Sequence, residues 1–441
     1  MVCRTAKEGR ADGRQDGPKI EKRSKEEALS LLRLSLVATA ATAAAIVGGI
    51  APPVSAQAPL SVEGSAAPQP WQRYRDWNQA RWNTYNTLDK PNLTPPAGRE
   101  IEVASVKGDP AKGQLLAFDR SRGGGCLACH VMGPKTQALP GNVGIDLSEV
   151  GTAGRTDQWL YNYVYDARVF NPQTVMPPWG KHGFYSEAEI RDIVAFLKTL
   201  KTPATFADKL NDPEKRPQPV EDRDGLDPFV NPAAERIEVG AALFKQPGPN
   251  GKACVSCHAT PAATFKRCAV EMPKWEPRLN KVLGVEEFIA RHAKATTGAD
   301  YLMQSAANTD LSIYLHNLAD GEAIKVDLST AAAKAAFDRG VELSKLKIGQ
   351  FNFSCIDCHQ TGANKWLRGQ WLGEARGQFD HFPLWRTSRN EVWDIRKRFE
   401  WCNVQVRANE LPPDAPEYGE LELYLRKMNE GLKLAAPNIR H

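Results

Sequence analysis

Three five-residue stretches of one form decide how the chain folds: Cys126-Leu127-Ala128-Cys129-His130, Cys254-Val255-Ser256-Cys257-His258 and Cys355-Ile356-Asp357-Cys358-His359. In a C-x-x-C-H stretch the two thiols add to the two vinyl groups of one haem, and the histidine beside them lies under the iron as proximal ligand. A thioredoxin-like C-x-x-C needs no histidine, and a zinc site pairs two such stretches in one domain. The three copies therefore predict three covalently bound haem c groups. The predicted attachment residues are Cys126, Cys129, Cys254, Cys257, Cys355 and Cys358, and the predicted iron ligands are His130, His258 and His359.

Each stretch lies between two segments with helical character. The preceding segments are 108–118, 234–244 and 332–346, and the following ones are 186–200, 301–318 and 417–428. In 186–200 the apolar residues recur at the spacing of an amphipathic helix. We find no strand-like alternation of any length. The sequence thus predicts an all-α fold with three cytochrome c-type haem domains in tandem, over residues 101–201, 233–325 and 326–441.

The rest of the chain indicates export. The 441 residues are 42% hydrophobic and 25% charged, with a formal net charge of +5, and nothing in this balance points to nucleic acid. Residues 1–56 have the polar start, apolar run and small-residue end of a secretory signal peptide. The alternative is an uncleaved anchor, but the apolar run is short for the roughly 20 residues of a membrane span. We expect cleavage after Ala56 and a periplasmic protein, since haem is attached outside the cytoplasm.

Two further segments connect these parts. Residues 57–100 are rich in Pro, Ala and Trp and are predicted to form an irregular arm that docks on the rest of the protein. Residues 202–232 are rich in Pro and Asp and are predicted to link the first and second haem domains.

The second axial ligand decides whether a haem transfers electrons or does chemistry. For the first haem the favoured second axial ligand is Met176, which stands before two prolines. His182 is the rival, and Met132 lies too close to the motif to reach the other side of the iron. For the second haem five residues are candidates. They are His292, His316, Met272, Met303 and Cys268.

For the third haem the favoured ligand is Cys402, and His381 is the rival. Cys402 stands among Arg396, Lys397, Arg398 and Arg407, and such a cluster favours the thiolate that ligates metal or attacks a substrate. The alternative is an inert buried cysteine, the usual fate of an unpaired one.

At these residues the chain resembles the SoxAX cytochromes of sulfur oxidation, which act as L-cysteine S-thiosulfotransferases. The segments 349–354, 367–370 and 398–408 and the third haem motif look like the C-terminal half of the larger A subunit. The second domain is similar to that subunit's first haem domain. The segments 141–144 and 171–178 look like the small X subunit, so the resemblance implies an X–A fusion in one chain.

The resemblance also implies site residues. Cys402 matches the axial cysteine of the active-site haem, often found as a persulfide. Arg398 matches the arginine that holds the substrate anion, and Arg407 lies in the same matching stretch. His292 stands where the family's two-haem form has a distal cysteine, which implies a bis-histidine second haem.

The implied activity is the oxidative joining of thiosulfate to a cysteine of a SoxYZ-type sulfur-carrier protein, with electrons passing to a soluble cytochrome acceptor. Two alternatives stay open. One is a thiosulfate dehydrogenase that forms tetrathionate and needs no carrier. The other is a non-catalytic multihaem electron-transfer cytochrome, in which Cys402 only tunes a potential.

Overall fold

A computed structural model describes residues 82–440, except 123, 134–138, 220–226 and 228. The predicted signal peptide, residues 57–81 of the predicted arm and part of the predicted linker lie outside the described residues. Within the described part, no helix is both long and apolar enough to span a membrane.

Three pairs of packed helices frame the three motifs. The first pair is α1 (Pro110–Phe118) with α3 (Glu187–Leu197); between them in the chain lies α2 (Asp157–Asp166). The second pair is α4 (Glu235–Lys245) with α7 (Ala306–Asn317), and the third is α8 (Ala331–Lys345) with α10 (Pro416–Met428). The short helix α5 (Pro261–Phe265) follows the second motif. The helices predicted from the sequence are therefore present, with ends that differ by a few residues.

Each of the three helix pairs has a glycine where the two helices contact each other. A Cβ added at Gly113, Gly240 or Gly340 would lie 1.9, 2.1 or 2.2 Å from a backbone oxygen of the partner helix. Only glycine, which has no Cβ, permits so close an approach of two backbones. The repeated contact indicates that the three pairs are copies of one helix-crossing arrangement.

Short polar caps start several of these helices. The Ser186 hydroxyl accepts from the Glu189 N–H while the Glu189 carboxylate accepts from the Ser186 N–H, a capping box that begins α3. Thr330 and Ser305 begin α8 and α7 in the simpler way, with one side-chain acceptor each.

Seven three-residue strands accompany the helices among the described residues. The antiparallel hairpins are β1 (Lys274–Glu276) with β2 (Lys281–Leu283), β3 (Lys365–Leu367) with β4 (Gln370–Leu372), and β5 (Leu384–Arg386) with β6 (Glu391–Trp393). β7 (Asn438–Arg440) pairs with β5 in parallel. The fold is largely helical, as expected, but the expectation of an all-α fold missed these strands because three residues are too few to show alternation.

Two of the hairpins lead into helices in the same way. β1 and β2 are followed by α6 (Val285–Thr297), and β5 and β6 by α9 (Ile395–Gln405). Asn280 and Asn390 turn the two hairpins with φ of 52° and 58°, in the left-handed region that asparagine tolerates. The two units lie 110 positions apart in the sequence. The hairpin and its helix are therefore a structural repeat, here named the hairpin–helix unit.

The hydrophobic clusters are shared between domains. Phe351 of the third domain lies in the cluster of the first, and Leu423 and Leu434 lie in the cluster of the second. Leu88, from the described part of the arm, lies in the cluster of the third. As a result the described residues pack as one compact unit.

Candidate active site

Each motif forms a tight turn that places its two cysteines together. Cys126–Ala128 and Cys254–Ser256 are single 3-10 turns, and the N–H of the motif histidine donates to the carbonyl of the first cysteine at 3.0 Å in both. The third motif instead runs into a π-helical turn over Asp357–Thr361. π-turns are rare and occur often at functional sites.

One cavity of about 1450 Å³ joins the first and third motifs. A site for one small ligand typically measures about 300–1,000 Å³, so this volume accommodates two large planar groups. The cavity is lined by Cys126, Cys129, His130, Met176, Cys355, Cys358, His359, His381, Arg386, Arg389, Arg398 and Cys402. The structure therefore brings the predicted ligands of the first and third haems to one space.

The donor set fits haem. His130 Nδ1 lies 2.7 Å from the Ile145 carbonyl, and His359 Nδ1 lies 2.9 Å from the Gly373 carbonyl. A backbone carbonyl at Nδ1 fixes the ring and leaves Nε2 for a metal. A Cβ at Gly144 would lie 2.2 Å from His130 Cε1, so only glycine leaves room beside that ring. Burial lowers the pKa of both histidines, which favours the neutral form that ligates iron.

The cavity discriminates between the two candidates for the first haem. Met176 lines it, and the Met176 N–H donates to Thr174 Oγ1 at 3.0 Å, which holds the loop. His182 does not line it: this residue is 2% exposed, and its Nδ1 contacts the Gln350 carbonyl at 2.7 Å. Met132 is buried in the hydrophobic cluster of the first domain. The geometry favours His130 and Met176 as the axial pair.

The second motif faces a histidine of the first hairpin–helix unit. The ring centroids of His258 and His292 are 6.2 Å apart. Two metal–nitrogen bonds of about 2 Å each, with ring radii of roughly 1 Å added, span roughly 6 Å. An iron therefore fits between these two rings.

The other candidates for the second haem are placed elsewhere. His316 is buried, its Nδ1 lies 2.9 Å from the Ser312 carbonyl, and burial lowers its pKa to about 3. Met272 and Cys268 lie in the hydrophobic cluster of the second domain, and Met303 is fully buried.

Cys402 lies close to the third motif. Burial raises the pKa of the Cys355 and Cys358 thiols to about 12, and the nearby Cys402 adds to both rises. The rival His381 also lines the cavity, and its Nδ1 is 3.0 Å from the Asp380 carboxylate, which leaves its Nε2 for a metal as in His130 and His359. The repeat favours Cys402, because Cys402 occupies in the second hairpin–helix unit the position that His292 occupies in the first.

Three arginines surround Cys402 in the same cavity. Arg398 precedes it by one turn of α9 and therefore lies on the same helix face. Arg386 and Arg389 come from the hairpin of β5 and β6. Arg386 Nε, Arg389 Nε and Arg398 Nη1 are buried without a hydrogen-bond partner among the described residues. Buried polar groups normally have partners, so this group of three, here named the arginine cluster, presents unused donors to an anion.

Two guanidinium groups of the arginine cluster lie near tryptophan rings, and charges within the cluster repel each other. The Arg389 guanidinium lies 4.1 Å from the Trp401 ring centroid, and that of Arg386 lies 5.5 Å from the Trp393 ring centroid. Burial and the charge of Arg398 lower the pKa of Arg386 to about 9. Neutralisation by a bound anion would relieve this repulsion.

Arg386 and Arg389 were not among the site residues predicted from the sequence. The repeat was the available signal: at the matching positions of the first unit stand Glu276, Leu279 and, opposite Arg398, Phe288. At these three positions the first unit thus lacks the arginines of the second.

The other basic residues near Cys402 in sequence point elsewhere. Arg396 is 1% exposed and makes 2.9 Å ion pairs with Glu287 and Glu422. Lys397 pairs with Glu391 at 3.0 Å. Carboxylates thus pair with both charges, and proximity to Cys402 in sequence does not carry over to the structure, because successive residues on a helix face different directions.

Arg407 lies at the junction of the first and third domains. It lines the cavity, but its Nη1 donates to Gln350 Oε1 at 2.9 Å and its Nη2 to the Arg122 carbonyl. Its guanidinium also lies 4.7 Å from the Phe184 ring centroid. These contacts indicate a role in holding the domains together.

Comparison with known proteins identifies two family matches. Residues 239–324 match the SoxA/TsdA cytochrome c domain, and residues 110–201 match cytochrome c. The L-cysteine S-thiosulfotransferase subunit SoxA of Pseudaminobacter salicylatoxidans is 29% identical over 48% of this chain and 75% of that protein. The subunit of the same name from Allochromatium vinosum is 29% identical over 47% of this chain and 74% of that protein. The crystal structure of SoxXA from P. pantotrophus aligns with a TM-score of 0.46 and 25% identity, over 48% of this chain and 80% of that one.

Proposed function

We propose that this chain, which is similar to SoxA cytochromes, acts as a haem-dependent L-cysteine S-thiosulfotransferase that joins thiosulfate to a cysteine of a carrier protein. One observation carries this proposal: Cys402 and the arginine cluster line the same cavity beside the third motif. A sulfur nucleophile next to unused cationic donors matches a substrate that is both a sulfur compound and a dianion.

The reaction balances as follows. A carrier thiol and the thiosulfate dianion give a cysteine S-thiosulfonate anion, one proton and two electrons. The arginine cluster holds the sulfonate end through charge-assisted hydrogen bonds, for which the planar guanidinium is well suited. Cys402, or a persulfide on it, presents sulfur to the outer sulfur of thiosulfate. Covalently bound haem, when present, supplies the electron acceptors.

We further propose three haems with the axial pairs His130 and Met176, His258 and His292, and His359 and Cys402. The first domain would correspond to an X-type subunit fused ahead of an A-type part. Cys129 and Cys358 line the same cavity and lie close enough for their charges to interact, which supports a direct path between the first and third haems. Electrons would leave through the first haem to a soluble cytochrome acceptor.

The proposed carrier is a SoxYZ-type protein with a reactive cysteine. The proposed site of action is the periplasm, which the protein reaches with removal of residues 1–56. The intact mass of the mature protein tests the haem count, the cleavage position and any extra sulfur on Cys402 together. Fewer than three haems would overturn the cofactor assignment.

Product analysis tests the reaction. Purified protein is incubated with thiosulfate and an oxidised acceptor, with and without a carrier protein that has one reactive cysteine. The proposal expects acceptor reduction only with the carrier, and a carrier mass increased by one thiosulfonate. Tetrathionate formed without the carrier would establish a thiosulfate dehydrogenase instead, and no sulfur turnover would leave an electron-transfer cytochrome.

A further inference from the structure

Arg368 belongs to the third domain but lies against the first haem motif. It follows β3 in the turn toward β4, with φ of 53°. Its N–H donates to the Ala128 carbonyl at 2.9 Å, inside the first motif, and its Nη2 donates to the Gly124 carbonyl at 3.0 Å. The hairpin thus covers the attachment loop of the neighbouring haem.

Further contacts fix the hairpin in this place. The Trp366 N–H donates to Asn142 Oδ1 at 2.7 Å, and the Asn142 N–H donates to the Trp366 carbonyl at 3.0 Å. Arg216 donates from Nη1 to the Arg368 carbonyl at 2.6 Å and lies over the Trp366 ring. Arg368 is therefore held in position by its backbone, independently of what its guanidinium binds.

Arg368 is half-buried, and its guanidinium makes no ion pair within 4 Å among the described residues, although the charge of Asp119 acts favourably on it. Its hydrogen bonds go to the carbonyl groups of Asp119 and Gly124. Its Nη1 is buried without a hydrogen-bond partner, and the side chain lines the cavity. Its positive charge acts on both Cys126 and Cys129. A cation thus lies at the thioether edge of the first haem.

We propose that Arg368 is a positioning residue that raises the reduction potential of the haem held by Cys126 and Cys129. Reduction removes one positive charge from that haem, so a nearby cation stabilises the reduced form, and net charge is one of the factors that set such potentials. The active-site domain would in this way make the first haem the better electron acceptor. The inference rests on the proposed attachment of haem to the first motif.

Redox titration of the full-length protein tests this role, with haem content first verified by intact mass. Arg368→Met is expected to lower the midpoint potential of the first haem, with about a tenfold change in its reduction equilibrium, or about 59 mV for one electron. Arg155→Met is the matched control, because Arg155 lines the same cavity but is exposed, and water screens its charge. The control is expected to shift the potential much less.

Arg368→Lys keeps the charge but loses the fork of donors. It is expected to retain most of the potential, and it serves as the test if the Met variant does not fold or loses its first haem. Any one of three results would overturn the proposal. The potential of the first haem could stay unchanged in the Arg368→Met variant, or it could fall in the Arg368→Lys variant by as much as is predicted for Arg368→Met. It could also fall equally in the Arg155→Met control. The titration contains no thiosulfate, so its result does not depend on the proposed transferase activity; a first motif without haem would contradict the cofactor assignment instead.

Discussion

His292 and Cys402 occupy the same position in two copies of one hairpin–helix unit, 110 residues apart. The residue four positions earlier also differs between the two copies. Phe288 stands in the first copy where Arg398 stands in the second. One scaffold therefore carries an imidazole with a phenyl ring one helical turn before it in the first copy, and a thiol with an arginine one helical turn before it in the second.

Replacing Cys402 by Ala should abolish thiosulfate turnover and alter the spectrum of one haem only. The sulfur is both the proposed ligand of the third iron and the group that handles substrate, so both effects come from one change. Turnover with the carrier protein and absorption spectra of the reduced and oxidised protein measure them. His292→Ala is the control from the matching position, and full activity in the Cys402 variant would contradict the assignment.

Replacing Arg398 by Ala, or Arg386 or Arg389 by Met, should leave the haem spectra intact and weaken thiosulfate use. A lost charged hydrogen bond costs about 1.5–3 kcal/mol, which corresponds to a fall in kcat/KM of roughly 10- to 150-fold. Steady-state kinetics over a range of thiosulfate concentrations measure the effect. Arg155→Met removes an exposed charge from the same cavity as control. Unaltered kinetics in all three variants would contradict the anion site.

Replacing Met176 by Ala should abolish the near-infrared charge-transfer band expected of a haem with methionine and histidine ligands. The thioether is the proposed sixth ligand, and no other thioether lies in the described cavity wall. Near-infrared absorption of the oxidised protein measures the band. His182→Ala is the control and should preserve it, since His182 lies outside the cavity; the opposite pattern would make His182 the ligand.

Replacing His292 by Ala should convert one haem to the high-spin state. The 6.2 Å between the His258 and His292 rings places both within reach of one iron. Electron paramagnetic resonance of the oxidised protein reports the spin state. His316→Ala is the control, because His316 is buried in α7 near Arg426; if that variant became high-spin instead, the bis-histidine assignment would be wrong.

Replacing Arg396 by Met should destabilise the protein and leave the substrate affinity of the folded protein unchanged. Removing one partner of a buried ion pair costs about 3–5 kcal/mol. Here Glu422 would lose its ion pair with Arg396, while Glu287 would keep its pairs with Lys281 and Arg291. Denaturant unfolding measures the stability, and thiosulfate KM the affinity. Lys397→Met, at the half-buried neighbour, is expected to cost less. A raised KM without loss of stability would place Arg396 at the site after all.

The sequence predicted those features that depend on local pattern. The helices follow from their periodicity and caps, and the motif cysteines and histidines follow from a fixed spacing. Arg386 and Arg389 were missed because they lie 16 and 13 residues before Cys402 and reach it only through the turn at Asn390. Arg396 was misplaced for the opposite reason, since it is near Cys402 in sequence but turns toward Glu422. Tertiary geometry, which single-sequence patterns do not contain, decides both cases.

The exchange of apolar side chains between domains has a consequence for stoichiometry. Phe351 completes the hydrophobic cluster of the first domain from the third, and the two are parts of one polypeptide. Tethering replaces a concentration-dependent encounter by an intramolecular one with an effective concentration in the millimolar range for short flexible linkers. One first domain is thus supplied to each active-site domain at any dilution. A chain cut within residues 202–232 would have to find its other half by diffusion, and its activity would fall as the protein is diluted.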